Sequence, residues 1–160
     1  MAKKVKKTNA ARILDDLNIP YQLVTYPVDD TDLSAVHVAQ LSGLNINMIF
    51  KTLVVRSDKD NILMAVIGGA DQLNLKALAK ASNSKSVALI PLNDLFPITG
   101  YLRGGCSPLG AKKNFPVFLD QRALSLDNIA ISAGIRGAQI ILNPRDFVAA
   151  TNASVAFISA

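Results

Sequence analysis

Residues 48–55 read MIFKTLVV, and they predict a buried strand that contains one charged side chain. Seven of the eight residues are apolar or carry a methyl group, and the exception is Lys51. Alternation along a strand divides this stretch into two faces, one with Lys51, Leu53 and Val55 and the other with Phe50, Thr52 and Val54. Because both faces are largely apolar, we expect both to be covered and Lys51 to lose part of its hydration.

A lysine in this position has two interpretations. It can lie at the end of the strand and extend its ammonium group to water, which composition alone favours. Alternatively it faces a pocket, where burial lowers its pKa unless an anion compensates. In the second interpretation Lys51 is a cationic anchor for a phosphate, a carboxylate or an ester carbonyl.

The elements around this strand predict one mixed α/β (α+β) domain over residues 1–160. A polar turn at 58–61 and a returning apolar run at 62–67 predict a hairpin. Thr8, Ser34 and Asn74 can each cap a helix. Further strands are expected at 21–26, 117–119, 129–132, 139–142 and 155–158. Short helices are expected at 91–96 and at 145–151, the latter with Pro144 at its first turn. Helices and strands do not alternate regularly, so a doubly wound nucleotide fold is not expected.

Charge is concentrated at the N-terminus. Lys3, Lys4, Lys6 and Lys7 supply four of the 17 basic residues, which leaves 13 against 12 acidic residues in the body. Residues 1–7 are therefore predicted to be a basic flexible tail, either solubilising, which the charge-run pattern favours, or an aid to binding a polyanion. There is no apolar run of about 18 residues and no apolar signal segment. With a single cysteine, Cys106, the expectation is a cytoplasmic protein without a membrane span, a metal site or a cofactor.

Two glycine-containing segments are candidates for contact with a ligand. Residues 100–110 contain four glycines and have no clear period. Successive backbone N–H groups in such a loop can bind an anion or an oxyanion. The turn at 132–137, SAGIRG, can present backbone groups and the Ser132 hydroxyl to the same cavity. An ordinary long loop remains the alternative, because no phosphate-loop motif is present.

The residues of common hydrolases are missing. His37 is the only histidine, and it falls within a predicted amphipathic helix, so a structural role is expected. Cys106 lies in the glycine-rich loop but has no second histidine to activate it. A serine or thiol enzyme is therefore not indicated.

Four ordered motifs resemble the YbaK/EbsC family of aminoacyl-tRNA deacylases, which is related to the editing domain of bacterial prolyl-tRNA synthetases. They are FKTLVV at 50–55, QLNLKALAKA at 72–81, GYLRGGCSPLG at 100–110 and ISAGIRG at 131–137. The resemblance covers nearly the whole chain. It implies a mixed sheet that is partly barrel-like, with surrounding helices.

The same resemblance implies the site. Lys51, Gly104 and Gly105 would be catalytic, and Tyr26, Thr52, Ser132 and Gly134 would bind substrate. The chain departs from the family pattern in two places: some relatives have an aspartate at the position that resembles Gln139, and many have an aromatic residue shortly before the second helix, where this chain has residues 32–34. The resemblance therefore indicates the class of reaction more firmly than the identity of the amino acid on the tRNA.

The implied reaction is hydrolysis of a mischarged aminoacyl-tRNA, foremost Cys-tRNA(Pro), whose acceptor end would bind between Lys51 and the glycine-rich loop. With no base or nucleophile at hand, the cysteine thiol of the substrate would attack its own ester. Free prolyl-tRNA synthetase is the expected protein partner, and the oligomeric state is not predicted. The alternatives are a deacylase for another small amino acid such as Ala-tRNA(Pro), a non-catalytic module that binds tRNA or a synthetase, and a small-molecule amino-acid sensor.

Overall fold

The computed structural model describes residues 7–111 and 113–160, and within them it contains five α-helices and eight strands arranged in two sheets. The predicted basic tail at 1–7 falls outside the described residues except for Lys7. The α-helices are α1 (Asn9–Asp16), α2 (Ala35–Ser42), α3 (Leu75–Ala81), α4 (Leu92–Thr99) and α5 (Pro144–Thr151). The strands are β1 (Gln22–Thr25), β2 (Phe50–Ser57), β3 (Ile62–Gly68), β4 (Val87–Leu89), β5 (Val117–Asp120), β6 (Ile129–Ser132), β7 (Ala138–Leu142) and β8 (Ser154–Ala156).

The predicted hairpin is the centre of the five-stranded sheet, whose order is β4-β2-β3-β5-β8. Strands β2 and β3 are antiparallel, with Lys51 opposite Ile67. Strand β5 pairs with β3 in parallel and β8 pairs with β5 in parallel, so the sheet is mixed, as predicted.

The second sheet has three antiparallel strands in the order β1-β7-β6. A parallel bridge between Ile49 and Ala130 joins it to the start of β2. This bridge brings the amino end of the Lys51 strand next to β6. Across the described residues the mixed α/β architecture is confirmed, and the sheets do not close into a barrel.

Local sequence explains where the helices begin. The side chains of Thr8, Ser34 and Asn74 accept hydrogen bonds from the first turns of α1, α2 and α3, as their capping signals predict. Helix α2 ends at Gly43, which has a left-handed φ of 74°. Pro144 occupies the first turn of α5.

The two faces of β2 belong to different hydrophobic clusters, which confirms the prediction that both are covered. Phe50 and Val54 pack in the cluster that also holds Leu14, Ile131 and Phe147. Val55 packs in a second cluster, against which Leu53 is partly buried. The larger cluster fills the space between the two sheets with α1 and α5 around it.

Four elements differ from the expectations. Strand β4 was not predicted, because a three-residue strand is too short for alternation to show and only pairing with residues 55–57 of β2 defines it. Two short 3-10 helices, Ile46–Met48 and Gln121–Ser125, were also not predicted. The last strand ends at Ala156, since the backbone of Ile158 turns to donate to the buried Asp120 carboxylate at 3.0 Å. No helix among the described residues is long and apolar enough to cross a membrane.

Candidate active site

A cavity of about 360 Å³ opens beside the amino end of β2. Its walls come from the start of α2, from β2, from the glycine-rich loop and from the ends of β6 and β7 that face each other. The lining residues are Leu33, Ser34, Ala35, Val38, Ile49, Phe50, Lys51, Thr52, Leu53, Gly69, Arg103, Gly104, Cys106, Ser132 and Gln139. The strand and both glycine-containing segments predicted from the sequence therefore meet at one cavity.

Lys51 is half-buried in this wall. Burial lowers the pKa of its ammonium group, and the nearby carboxylate of Asp71 opposes that effect only in part. No described residue forms an ion pair or a hydrogen bond with the Lys51 ammonium group. Lys51 is the second residue of β2, and its partly desolvated side chain lines the cavity, which favours the interpretation in which it faces a pocket.

The Asp71 carboxylate is already engaged by another cation. Its Oδ2 lies 3.1 Å from Nη2 of Arg122, whose guanidinium carbon is 5.1 Å from the centre of the Phe50 ring. Arg122 also donates to the backbone carbonyl of Asn47 at 3.3 Å. Because Asp71 is shared in this way, the positive charge of Lys51 remains available to an external anion.

The glycine-rich loop contributes Gly104 to the cavity and uses Gly105 for packing. Gly104 has a left-handed φ of 83° and is exposed at the cavity wall. The Gly105 N–H donates to the Leu102 carbonyl at 2.9 Å, whereas the Gly104 N–H has no acceptor among the described residues. Gly105 is buried, and a Cβ atom there would lie 3.2 Å from the backbone of Ile135 and Arg136. Of the two predicted glycines, Gly104 alone presents a free donor.

In the second glycine-containing segment, residues 132–137, one predicted residue likewise lines the cavity and the other serves packing. Ser132 lines the cavity, and its Oγ accepts the Gly134 N–H at 3.1 Å. Gly134 lies outside the lining, and a Cβ atom at this position would lie 3.1 Å from the Tyr101 ring. The Tyr101 hydroxyl donates to the Leu109 carbonyl at 2.5 Å, and burial raises the pKa of this phenol to about 12. Gly134 therefore permits the close packing of the two segments, because the Tyr101 ring of the first segment lies against it.

The structure brings together four of the seven predicted site residues, namely Lys51, Thr52, Gly104 and Ser132. Gly105 and Gly134 lie behind the wall. Tyr26 lies in an adjoining recess, separated from the cavity by Leu33, Val38 and Gly104, which line both.

The two titratable side chains set aside in the sequence occupy structural positions. His37 contacts Asp29 at 2.8 Å and Gln40 at 3.1 Å, and these hydrogen bonds raise its pKa. Cys106 lines the cavity but is 8% exposed, and burial raises the pKa of its thiol to about 12. Within the described part of the chain, no group of three His, Cys, Asp or Glu side chains is placed to hold a metal ion.

Arg103 and Gly69 line the cavity but were not among the residues predicted for the site. Arg103 directly precedes the two glycines, and its position in that motif is a signal that could have identified it. Gly69 has no such signal: a Cβ atom there would lie 2.3 Å from the Cβ atom of Ala35, so glycine lets α2 approach the hairpin. Leu33 and Ser34, which precede the second helix, also line the cavity.

Comparison with known proteins identifies the family. The model of the aminoacyl-tRNA editing domain matches residues 32–150. The chain belongs to the aminoacyl-tRNA editing domain family. The resemblance inferred from the four motifs is thereby confirmed, and the residues that line the cavity lie within the matched range.

One relative of this editing domain spans nearly its full length, and a second covers about two thirds of it. EbsC of Enterococcus faecalis, named as a candidate Cys-tRNA(Pro)/Cys-tRNA(Cys) deacylase, is 44% identical over 161 residues, which cover 99% of this chain and 98% of EbsC. The uncharacterized protein YwhH of Bacillus subtilis is 26% identical over 108 residues, 68% of each chain.

Solved structures support the fold. The hypothetical protein APE2540 superposes with a TM-score of 0.86 at 25% identity, covering 96% of this chain and all of that one. A structure described as a candidate trans-editing enzyme for prolyl-tRNA synthetase gives a TM-score of 0.80 at 22% identity, with 98% and 99% covered. At these identities the superpositions support the arrangement of sheets and helices.

Proposed function

We propose that this editing domain hydrolyses the ester bond of a mischarged aminoacyl-tRNA, with Cys-tRNA(Pro) as its substrate. The observation that carries the proposal is the partly desolvated ammonium group of Lys51, which has no described partner and shares a cavity with the free N–H of Gly104. The full-length similarity to EbsC supports the choice of amino acid.

In the proposed complex the acceptor end of the tRNA enters between β2 and the glycine-rich loop. Lys51 binds the terminal phosphate or the ribose and thereby orients the ester. The Gly104 N–H donates to the oxygen of the ester carbonyl as negative charge develops on it. One such donor contributes about 3 kcal/mol to transition-state stabilisation.

The nucleophile in this proposal belongs to the substrate. Cys106 is protonated near neutral pH because burial raises its pKa to about 12, and thiols react as thiolates. The thiol of the bound cysteine instead attacks its own ester carbonyl and forms a cyclic thioester. The ester C–O bond breaks, the ribose oxygen takes up the thiol proton, and water then opens the thioester to free cysteine. The domain contributes orientation and electrostatic stabilisation.

In this mechanism the domain selects the amino acid by the reactivity of its side chain as well as by how it fits the cavity. A cysteine thiol is a better nucleophile than a serine hydroxyl near neutral pH, and alanine has no nucleophile. Selection of tRNA(Pro) needs contacts beyond the small cavity, and we propose prolyl-tRNA synthetase as the partner that supplies them. A tRNA substrate places the proposed reaction in the cytoplasm.

The test is a panel of Cys-, Ala- and Ser-tRNA(Pro) with the wild type, Lys51→Ala and a control, Lys76→Ala, whose side chain is exposed on α3. We expect Cys-tRNA(Pro) to be deacylated fastest, with a loss of about a hundredfold or more in Lys51→Ala. Lys76→Ala should match the wild type.

Each other result has a defined meaning. Fastest turnover of Ala-tRNA(Pro) would identify the alternative deacylase. Binding of all three tRNAs without ester loss would identify a non-catalytic module. Wild-type rates in a folded Lys51→Ala variant would contradict the assigned role of Lys51.

A further inference from the structure

Gln139 is a buried polar side chain in the wall of the cavity. It lies in β7, the central strand of the three-stranded sheet, directly opposite Ser132 of β6 and Val24 of β1. Its neighbours Ala138 and Ile140 pack in the large hydrophobic cluster, so alternation directs Gln139 to the opposite face, where the cavity lies. Only 5% of its surface is exposed.

The Oε1 atom of Gln139 is fully buried and accepts no hydrogen bond from the described residues. The Ser132 hydroxyl of the paired residue accepts the Gly134 N–H and makes no hydrogen bond to this oxygen. An unpaired buried carbonyl is unfavourable because it has lost water without gaining a donor. Within a cavity, such an acceptor indicates the position of a donor on the ligand.

Charge restricts which donor the ligand can place there. Lys51 and Arg103 are cationic, and none of the described residues that line the cavity is acidic. Every aminoacyl ester carries an α-amino group, which is a cationic donor when protonated. This group must lie away from Lys51 and Arg103, and it needs a neutral acceptor because no carboxylate lines the cavity.

We propose that Oε1 of Gln139 binds the α-amino group of the aminoacyl ester. This inference rests on the proposed function and extends it from the ester to the amino acid. Lys51 and Gly104 hold the ester side, Gln139 holds the amine, and the two contacts together fix the direction in which the amino-acid side chain points. Gln139 is thus a substrate-binding residue that sets specificity for an α-amino acid over other acyl groups.

The test compares two acyl groups that differ only in the amine. The tRNA is charged with cysteine or with 3-mercaptopropionate, and kcat/KM is measured for the wild type and for Gln139→Met, which keeps the side-chain length but removes the acceptor. We expect Gln139→Met to lower kcat/KM about tenfold to a hundredfold for cysteine and to leave the 3-mercaptopropionyl ester unchanged. Gln22→Met, at an exposed position of β1, is the matched control.

Stability gives a second readout. Since Gln139→Met removes an unpaired buried acceptor, its Tm should equal or exceed that of the wild type while activity on the cysteinyl ester falls. A purely structural role of Gln139 would lower the Tm and reduce both activities together, and that result would overturn the inference. An equal loss for both esters without a change in Tm would overturn it too.

A binding measurement keeps the inference testable if the variant does not fold. Wild-type affinity is measured for adenosine carrying cysteine or 3-mercaptopropionate through a 3′-amide, which the domain does not have to cleave. We expect the cysteinyl compound to bind about tenfold or more tightly, and equal affinities would refute the contact. If the wild type binds this pair as expected but deacylates no tRNA, the proposed function fails while the contact stands.

Discussion

Lys51 is a charged residue placed among apolar neighbours, and this placement has a free-energy cost that a structural role does not explain. Its strand neighbours are distributed between two apolar clusters, and its own ammonium group is partly desolvated without a described ion-pair partner. Burial disfavours the charged form, which is why its pKa is lowered. A lysine selected only for stability would not be expected here, whereas one that binds an anionic ligand recovers the lost hydration in the complex.

Cys106 provides a prediction at the same scale. Its thiol is buried and its pKa is raised to about 12, so it is protonated throughout the neutral range. We expect Cys106→Ala and Cys106→Ser to deacylate Cys-tRNA(Pro) within a few-fold of the wild type in a single-turnover assay. Loss of activity in both variants, with the Tm of the wild type, would indicate an enzyme thiol in the reaction.

At the scale of elements, the site depends on two loops that pack against each other. The Arg136 guanidinium donates through Nε to the Arg103 carbonyl at 2.7 Å, and Gly105 lies against the backbone of residues 135–136. Tyr101 fills the space beside Gly134. The position of the Gly104 N–H is therefore set by the contact between two loops that are about 30 residues apart in the chain.

The substitution Gly105→Ala tests this coupling. Its Cβ atom would lie 3.2 Å from backbone atoms that cannot rotate away, so the loops must separate. We expect a loss of about 1–3 kcal/mol in the free energy of unfolding, measured with urea, and a larger proportional loss of kcat than of tRNA affinity.

A second glycine separates loop position from general destabilisation. Gly43→Ala, at a φ of 74° with no atom within 4 Å, should lower stability by about 1–2 kcal/mol through backbone strain. It should leave kcat unchanged. Equal kcat values for the two variants would show that the contact between the loops does not position the donor.

For the whole molecule, the excess positive charge is confined to a few places and is not spread over the surface. Outside residues 1–7 the basic and acidic residues nearly balance, so long-range attraction to tRNA from the body is small. The cations that line the cavity are Lys51 and Arg103, and the Arg103 side chain has no described partner. Binding of a single-stranded acceptor end is therefore expected to depend on few phosphate contacts.

The salt dependence of the tRNA binding constant measures the number of phosphate contacts. Two contacts to a single strand predict a slope of about −1.4 for log K against log salt concentration, and Arg103→Met should reduce its magnitude by about 0.7. Arg145→Met, which removes an exposed cation of α5 that does not line the cavity, should leave the slope unchanged. If the two variants gave the same slope, Arg103 would not contact a phosphate.

Much of the fold was predictable because its signals are local. Caps at Thr8, Ser34 and Asn74, the glycine at the end of α2 and the hairpin around residues 58–61 all act within a few residues. Strand β4 and the end of β8 were missed because they depend on pairing with β2 and on the Asp120 carboxylate, respectively. Neither signal lies within the element itself.

The sequence alone determined the family, the buried strand with its single lysine, and the two glycine segments, since these are properties of residue type and spacing. Only the tertiary structure decided which glycine offers a free N–H, that Tyr26 lies in a separate recess, and that Gln139 leaves an unpaired oxygen beside Ser132. The physical reason is that burial and hydrogen-bond satisfaction are relations between distant segments. A residue's type states what it can donate or accept, and the packing of sheets and loops determines whether that capacity is already used.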